Sequence, residues 1–289
     1  MPELPEVETI VRCLRPHLVG LEIRDVAVFF EPVLRRVGPG ATKAYAGRRI
    51  LRVERRGKMI LIDVSGGLSL VFHLKMTGQL LFLPAAETRD KHTRLSISFK
   101  DSTAELRFRD IRKFGFVLAL PTTEMPAAPE LRVLGPEPLA LGLEDFRGAF
   151  AGRKGMIKAR LLDQRILAGI GNIYADEILF EARLHPEEDI SKLSARSWRA
   201  LWSAARTVLG RAVSCRGTTL RDYRDGDGER GGFQELLQVY GREGLACPRC
   251  GATIRRLRVA GRSSHFCPRC QRLSALGPVI RRHLPRNFS

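Results

Sequence analysis

Two prolines and two glutamates stand among the first six residues, Met1-Pro2-Glu3-Leu4-Pro5-Glu6. If Met1 is removed, Pro2 presents a free secondary amine with a carboxylate beside it. An α-amino group titrates near ~7.7–8.0 against ~10.4 for lysine, so roughly a third of it is neutral at pH 7.5. A neutral amine can attack a sugar C1′ or an aldehyde carbon and hold it as a Schiff base. The same two prolines also suit the first turn of a helix, which is the plainer use of them.

A second chemistry is carried by Cys247-Pro248-Arg249-Cys250 and Cys267-Pro268-Arg269-Cys270, which flank sixteen residues. That is the two-knuckle spacing of a four-cysteine zinc site, and a cytosolic chain does not keep the alternative disulfides. Between the pairs lie Arg255, Arg256, Arg258 and Arg262, so a hairpin held by the metal would be a basic ribbon suited to phosphate. The remaining thiols, Cys13 and Cys215, are expected to be buried and inert. In Gly169-Ile170-Gly171-Asn172 the glycines precede a helix and could leave backbone N–H groups open to a phosphate, although this pattern alone is weakly specific. Lys58 stands before an apolar run, where a lysine is ordinarily just solvated, and Met76 and Phe114 taken alone read as strand-end core.

These residues need a frame. Val7, Ile10, Val11 and Leu14 recur at helical spacing, predicting one amphipathic helix over about 5–18, with Pro16 liable to end it early. From Leu21 to about Leu120 the texture is of short β-rich runs (50–53, 59–64, 68–72, 95–99, 105–108, 116–120) separated by Gly, Asp, Ser and Lys, as in a sandwich or a barrel. Pro121 to Pro138 reads as a linker. Beyond it the pattern is helical to about Arg216, most clearly in Trp198, Leu201, Trp202, Ala205, Val208, Leu209 and Ala212, a stripe that reads as core. Gly217 to Gly232 is rich in Gly and charge and is expected to be a mobile loop. No internal repeat is present.

The chain has 289 residues, enough for two domains, and its 49 Lys and Arg against 31 Asp and Glu give net +18. That balance suits a protein that replaces counterions on a phosphate backbone. From Gly241 onward there are eleven Arg, no Lys and a single acid, Glu243, so more than half of the net charge sits in the last sixth of the chain. No apolar run approaches the ~20 residues that span a bilayer and no cleavable signal precedes the start, so the chain reads as cytoplasmic.

The opening six residues, the stretch from Lys158 to Phe180 and the cysteine pairs together resemble the bacterial formamidopyrimidine-DNA glycosylases, from Met1 to Gln271. The resemblance implies an α+β fold of two domains. An N-terminal β-sandwich with an N-terminal helix (1–135) would be followed by a helical domain with a helix–two-turn–helix and lesion-capping loop (136–235), then a zinc-finger hairpin (236–271) and a basic tail (272–289). It implies a monomeric, bacterial, nucleoid-associated enzyme with one structural Zn2+, whose partner is double-stranded DNA containing oxidised purine or abasic sites. Pro2 would be the nucleophile, Glu3 the general acid on the sugar ring oxygen and Glu6 an electrostatic support. Lys58 would lie near the lesion, and Arg262 would grip the phosphates around it and share in the final elimination. An enzyme that works on a stacked base must extrude it and fill the hole, and Met76, Arg112 and Phe114 match the family's filling trio. Lys158 and Asn172 match its phosphate-binding pair, and His73, His92, Lys113 and Arg153 match further phosphate contacts. The tail, with Arg281, Arg282 and Arg286, extends past the usual end and is expected to be disordered. Two rivals remain: an endonuclease VIII-like glycosylase of oxidised pyrimidines, and a damaged-DNA-binding zinc protein without catalysis. Leu4, where that group usually has Gly, argues against the first, as does the stretch from Thr218-Thr219-Leu220-Arg221-Asp222-Tyr223 to Gly232-Phe233-Gln234, which looks like the loop that closes over oxidised purine. The second would require loss of Pro2, Glu3 or Lys58, and all three are present.

Overall fold

The computed structural model describes residues 1–35, 41–220 and 223–274, so the expected basic tail lies outside the described residues from 275 onward. The chain opens with helix α1 (Leu4–Leu18). It enters through a capping box, in which Glu3 and Glu6 exchange bonds with each other's backbone N–H groups. Pro16 does not end this helix early. It costs one hydrogen bond in the last turn, but Leu14 and Leu18 around it are both fully buried, and that burial holds the turn.

Among the described residues nine strands follow: β1 (Ile23–Val28), β2 (Leu34–Arg35), β3 (Ile50–Arg56), β4 (Met59–Val64), β5 (Leu68–His73), β6 (Gly78–Pro84), β7 (Thr93–Phe99), β8 (Ala104–Asp110) and β9 (Phe116–Pro121). They form a four-stranded sheet ordered β1-β7-β8-β6 and a five-stranded sheet ordered β2-β9-β5-β4-β3. Ile97, Phe99, Leu106 and Phe108 of the first pack with Ile60, Ile62, Leu70 and Phe72 of the second, so the N-terminal part is a sandwich. β4, β5 and β9 are buried on both faces, since Met59, Val71, Phe116 and Leu118 form a second layer with Ala128 and Leu131 from beyond the sheet. This explains why their sequences read as continuous apolar runs. β1 escaped sequence detection because a register shift between Ile23 and Asp25 breaks its alternation. β6 escaped it because its ends, Gly78 and Pro84, read as turn residues.

The segment expected to be a linker is packed structure. It forms a 3-10 turn (Thr122–Ala127) and helix α2 (Pro129–Arg132) against the outer face of the larger sheet. Glu137, near its end, accepts from Arg55, Arg56 and the Gly57 N–H, and so grips the turn that carries Lys58. Helices α3 (Leu143–Gly148), α4 (Ile157–Leu162), α5 (Asn172–Glu181) and α6 (Ala195–Ser214) then build a separate core. The expected stripe of α6 lies inside it, with Trp202 half-buried and its indole N–H donating to Leu141 O at 3.0 Å. Leu4 joins this helical core, whereas Val7, Ile10, Val11, Leu14 and Leu18 join the sandwich core. A single helix therefore fixes the N-terminus where the two cores meet. The chain ends its described part in a hairpin of β10 (Arg255–Val259) and β11 (Arg262–Phe266).

Candidate active site and nucleic-acid interface

Glu3 is 3% exposed and lies against the start of α5. Its Oε2 accepts from Gly171 N–H at 2.7 Å and Tyr174 N–H at 3.3 Å, and its Oε1 from Ile173 N–H at 3.0 Å. Those are the orphan donors of a helix N-terminus, taken by a carboxylate from the other end of the chain. The glycines expected to expose these N–H groups to phosphate serve another purpose. A Cβ on Gly171 would lie 2.3 Å from Glu3 Cδ, and one on Gly169 2.7 Å from Leu4 Cβ. They admit the N-terminal residues, and Leu4 N–H donates to Gly169 O at 3.0 Å.

Glu6 holds three elements together. Its Oε2 accepts from Glu3 N–H at 2.7 Å, and its Oε1 accepts from Thr218 N–H at 2.7 Å and from the Tyr174 hydroxyl. Burial, and then the neighbouring Glu3 charge, push the Glu6 carboxyl up to about 7. Burial likewise raises Glu3, against the pull of Lys58 and three backbone N–H groups. Tyr174 and Thr218 were not singled out from the sequence as site residues, because nothing in their spacing shows that they share a carboxylate. Thr218 also anchors the loop expected to be mobile, in which Thr218, Thr219, Tyr223 and Asp225 are all buried. A cavity of about 420 Å³ opens beside this cluster, and Pro2, Glu6, Met76, Arg112, Thr218 and Tyr240 help to line it.

Lys58 is 7% exposed, not solvated. Burial lowers its ammonium from the ordinary lysine value, Glu3 and Glu6 oppose that, and Arg262 and Lys75 reinforce it. Two of the residues expected at the phosphates are buried in the chain. Lys158 is fully buried, its Nζ donates to Ser263 O at 2.6 Å and to Ser264 Oγ at 2.8 Å, and it is ion-paired with Asp176 Oδ1 at 2.6 Å. It fastens the β10–β11 hairpin to the helical core. His73 is also buried, its Nδ1 accepts from Lys75 N–H at 3.0 Å, and burial beside Lys75 and Lys58 pushes it down to about 3. It is therefore a neutral imidazole, which brings a phosphate no charge but keeps an N–H donor on Nε2. His92 is half-buried, Lys113 and Arg153 are exposed, and Asn172 opens α5 with its Oδ1 buried and unpartnered among the described residues.

Met76 and Phe114 are 42% and 49% exposed, so neither is core. Arg112 lies over the Phe114 ring, 4.7 Å from its centroid. Arg255, Arg256, Arg258 and Arg262 are all exposed, with Arg256 paired to Glu243 at 3.1 Å.

The Sγ atoms of Cys247, Cys250, Cys267 and Cys270 all lie within 4.8 Å of one another. Cys247–Cys270 and Cys250–Cys267 stand at 4.0 and 3.4 Å, far beyond a disulfide bond of about 2.05 Å. Tetrahedral zinc with Zn–S near 2.3 Å needs sulfurs about 3.8 Å apart, which this cage meets. The four cysteines form one structural zinc site. Two acids of α5 tie it to the helices: Asp176 accepts from His265 N–H at 2.9 Å, and Glu177 from the N–H groups of Gln238, Val239 and Tyr240 at 2.8–3.0 Å. Cys13 and Cys215, expected to be buried, are only half-buried. Partial burial, with Asp225 and Asp227 close by, pushes the Cys13 thiol up to about 11, which keeps it protonated and poorly reactive.

Three family models match the chain: the formamidopyrimidine-DNA glycosylase N-terminal domain over residues 1–117, the formamidopyrimidine-DNA glycosylase H2TH domain over 134–224, and the zinc finger found in FPG and IleRS over 244–273. The formamidopyrimidine-DNA glycosylase of Desulforamulus reducens is 46% identical over 263 residues, covering 90% of this chain and 95% of its own. The MutM (Fpg) protein of Thermus thermophilus superposes with a TM-score of 0.84 at 44% identity, over 95% of this chain and all of that one. A Lactococcus lactis FPG mutant in complex with Fapy-dG containing DNA superposes with a TM-score of 0.87 at 34% identity, over 94% of this chain and all of that one. With its sandwich, its helical core and its cysteine cage all matched in order, the chain belongs to the formamidopyrimidine-DNA glycosylase family.

Proposed function

We propose that this protein is a base-excision repair enzyme that removes 8-oxoguanine and formamidopyrimidines from duplex DNA and then cuts the strand at the abasic site. The observation that carries the reading is the convergence of Pro2, Glu6, Met76 and Arg112 on one cavity, with Glu3 and Lys58 buried nearby. The cavity is where a flipped nucleotide would go. The working division is the sandwich at 1–135, the helical part with its capping loop at 136–235 and the zinc hairpin at 236–271.

In the reaction, the Pro2 amine, freed of Met1, attacks C1′ of the damaged nucleoside. The base departs with the glycosidic electron pair and takes up a proton. Glu3 gives its proton to the ring oxygen as the sugar opens, and the nitrogen lone pair forms the Schiff base. The raised Glu3 carboxyl supports this role, because burial makes the group hold its proton more readily than an ordinary carboxyl and so suits it to act as an acid. The neighbouring ammonium of Lys58 would stabilise the Glu3 carboxylate left behind. Loss of a C2′ proton then expels the 3′ phosphate, and a second elimination expels the 5′ phosphate. Exposed Arg262, Lys113, Arg153 and the other hairpin arginines would hold the backbone, and the zinc would keep the hairpin folded.

Borohydride trapping tests this. A covalent complex should form on a duplex carrying 8-oxoguanine opposite cytosine. Trapping only on thymine glycol would instead select an oxidised-pyrimidine glycosylase, and trapping on neither a non-catalytic binding protein.

A further inference from the structure

The two loops that carry Met76 and Phe114 meet at one side chain. Asp110 ends β8, is 1% exposed and stands opposite Gly78, the first residue of β6. Its Oδ1 accepts from the Thr77 hydroxyl at 2.5 Å and from Arg112 N–H at 3.2 Å, and its Oδ2 accepts from Gly115 N–H at 2.7 Å. Arg112 N–H also reaches Thr77 Oγ1 at 3.1 Å. Thr77 follows Met76, and Gly115 follows Phe114. One carboxylate thus closes the 111–115 turn and pins the neighbouring loop to it. Arg94 fixes the carboxylate's own backbone, donating from Nε to Asp110 O at 2.9 Å.

Both loops need such an anchor. Lys75 has φ 51° and Lys113 has φ 60°, a left-handed conformation that non-glycine residues hold only where their surroundings impose it. Met76 and Phe114 point into solvent and have little packing to fix them, so their position is set at the base of the loops.

We propose that Asp110 is a positioning residue that makes Met76, Arg112 and Phe114 a single pre-formed wedge, so that the two loops enter the duplex as one body. This rests on the reading that these three side chains fill the stack vacated by the damaged base. Asp110 touches no reacting atom and acts through the loops alone.

The test uses the full-length, zinc-bearing protein. Asp110→Asn keeps the volume but replaces one accepting oxygen with an amide group that cannot accept, so Gly115 N–H or the Thr77–Arg112 pair goes unmet. Thr77→Val removes the hydroxyl alone, and Thr77→Ser restores it. Excision of 8-oxoguanine opposite cytosine should fall about tenfold or more in kcat for Asp110→Asn and Thr77→Val, with Thr77→Ser near the parent. Cleavage at a preformed abasic site in single-stranded DNA, where no stack needs filling, should stay within about twofold. Added to a Met76→Ala/Phe114→Ala variant, Asp110→Asn should cost little more, since it acts through groups already removed. Equal losses on both substrates, or a fully additive loss on the duplex, would overturn the proposal. If the Met76→Ala/Phe114→Ala variant excises from duplex at the parent rate, the wedge reading fails and the proposal with it. If that variant is defective while Asp110→Asn and Thr77→Val are not, the coupling alone is wrong. Should Asp110→Asn not fold, the two Thr77 variants decide the same question.

Discussion

Glu3 and Glu6 are 3% and 2% exposed, and every carboxylate oxygen has a named donor; Met76 and Phe114 are 42% and 49% exposed. Glu6 and Met76 line one cavity, yet the two regions are built on opposite plans. The buried acids gain altered proton affinities from desolvation, which the chemistry needs, and their position from hydrogen bonds that cross between the two cores. Met76 and Phe114 keep apolar surface in water, which suits the proposed wedge, where something apolar would later cover it. Damage to the first region should therefore appear in the chemistry with any substrate that uses it, whereas damage to the second should appear only when a duplex must be opened.

The largest effect should come from the N-terminus. Retained Met1 turns the Pro2 amine into a tertiary amide without a nucleophilic lone pair, so base release and borohydride trapping should both collapse while binding to damaged duplex persists. Mass spectrometry of the intact protein identifies the form, and full trapping by a verified Met1-retaining form would remove Pro2 as nucleophile. Glu3→Gln comes next. It takes away the acid, so excision from an intact lesion should drop by about 10²- to 10⁴-fold, with a smaller loss at a preformed abasic site that is already partly aldehyde. Similar losses on the two substrates would show that Glu3 holds the start of α5 and does no acid chemistry.

Glu6 gives a pH signature. Its folded value of about 7 stands above the ordinary 4.5, so the folded state holds a proton that the unfolded chain releases. The stability this contributes is fully present below 4.5 and is lost as pH rises through 7, a change on the order of 3 kcal/mol. Glu6→Gln mimics the protonated form and should flatten the profile. Urea melts between pH 5 and 8 read the difference, and parallel slopes for parent and variant would assign the charge elsewhere.

The wedge variants should be milder and more selective. Met76→Ala, Phe114→Ala and Arg112→Ala should each lower duplex 8-oxoguanine excision by roughly 5- to 150-fold, the equivalent of 1–3 kcal/mol of unreplaced stacking and pairing. Arg112→Ala should also relax the preference for cytosine opposite the lesion. Because Met76 and Phe114 are exposed, their truncation should move global stability by no more than about 0.5 kcal/mol. A loss of several kcal/mol in a thermal melt, with excision per folded molecule unchanged, would make them core after all.

How much of this the sequence discloses follows from the kind of signal each part leaves. The zinc cage is local, so its spacing alone located it, and the later strands were legible because strands buried on both faces carry long apolar runs. β1 hid behind its bulge. Glu3 and Glu6 were visible as residue types, but the partners of Glu6 were not, since Tyr174 and Thr218 lie 168 and 212 positions away and only the fold joins them. The Gly169–Asn172 stretch shows the same limit. Its glycines suggested an acceptor site for backbone N–H groups at a helix start, and the acceptor found there is the Glu3 carboxyl group, brought from the other end of the chain.

Lys158 and Arg153 carry that lesson into the smallest prediction. Both were expected at the phosphates, and the structure buries the first and leaves the second exposed. A phosphate contact replaces a condensed counterion, so Arg153→Ala should lower the slope of log affinity against log salt by about 1 and weaken binding evenly across sequences. Lys158→Met should leave that slope where it is. It would instead strand Asp176 without its cation and release the hairpin from the helical core, so it should lower the melting temperature and weaken binding by misplacing Arg262. Titration of undamaged duplex at several salt concentrations separates the two. A slope that falls with Lys158→Met and not with Arg153→Ala would mean that the lysine leaves its buried site when DNA binds.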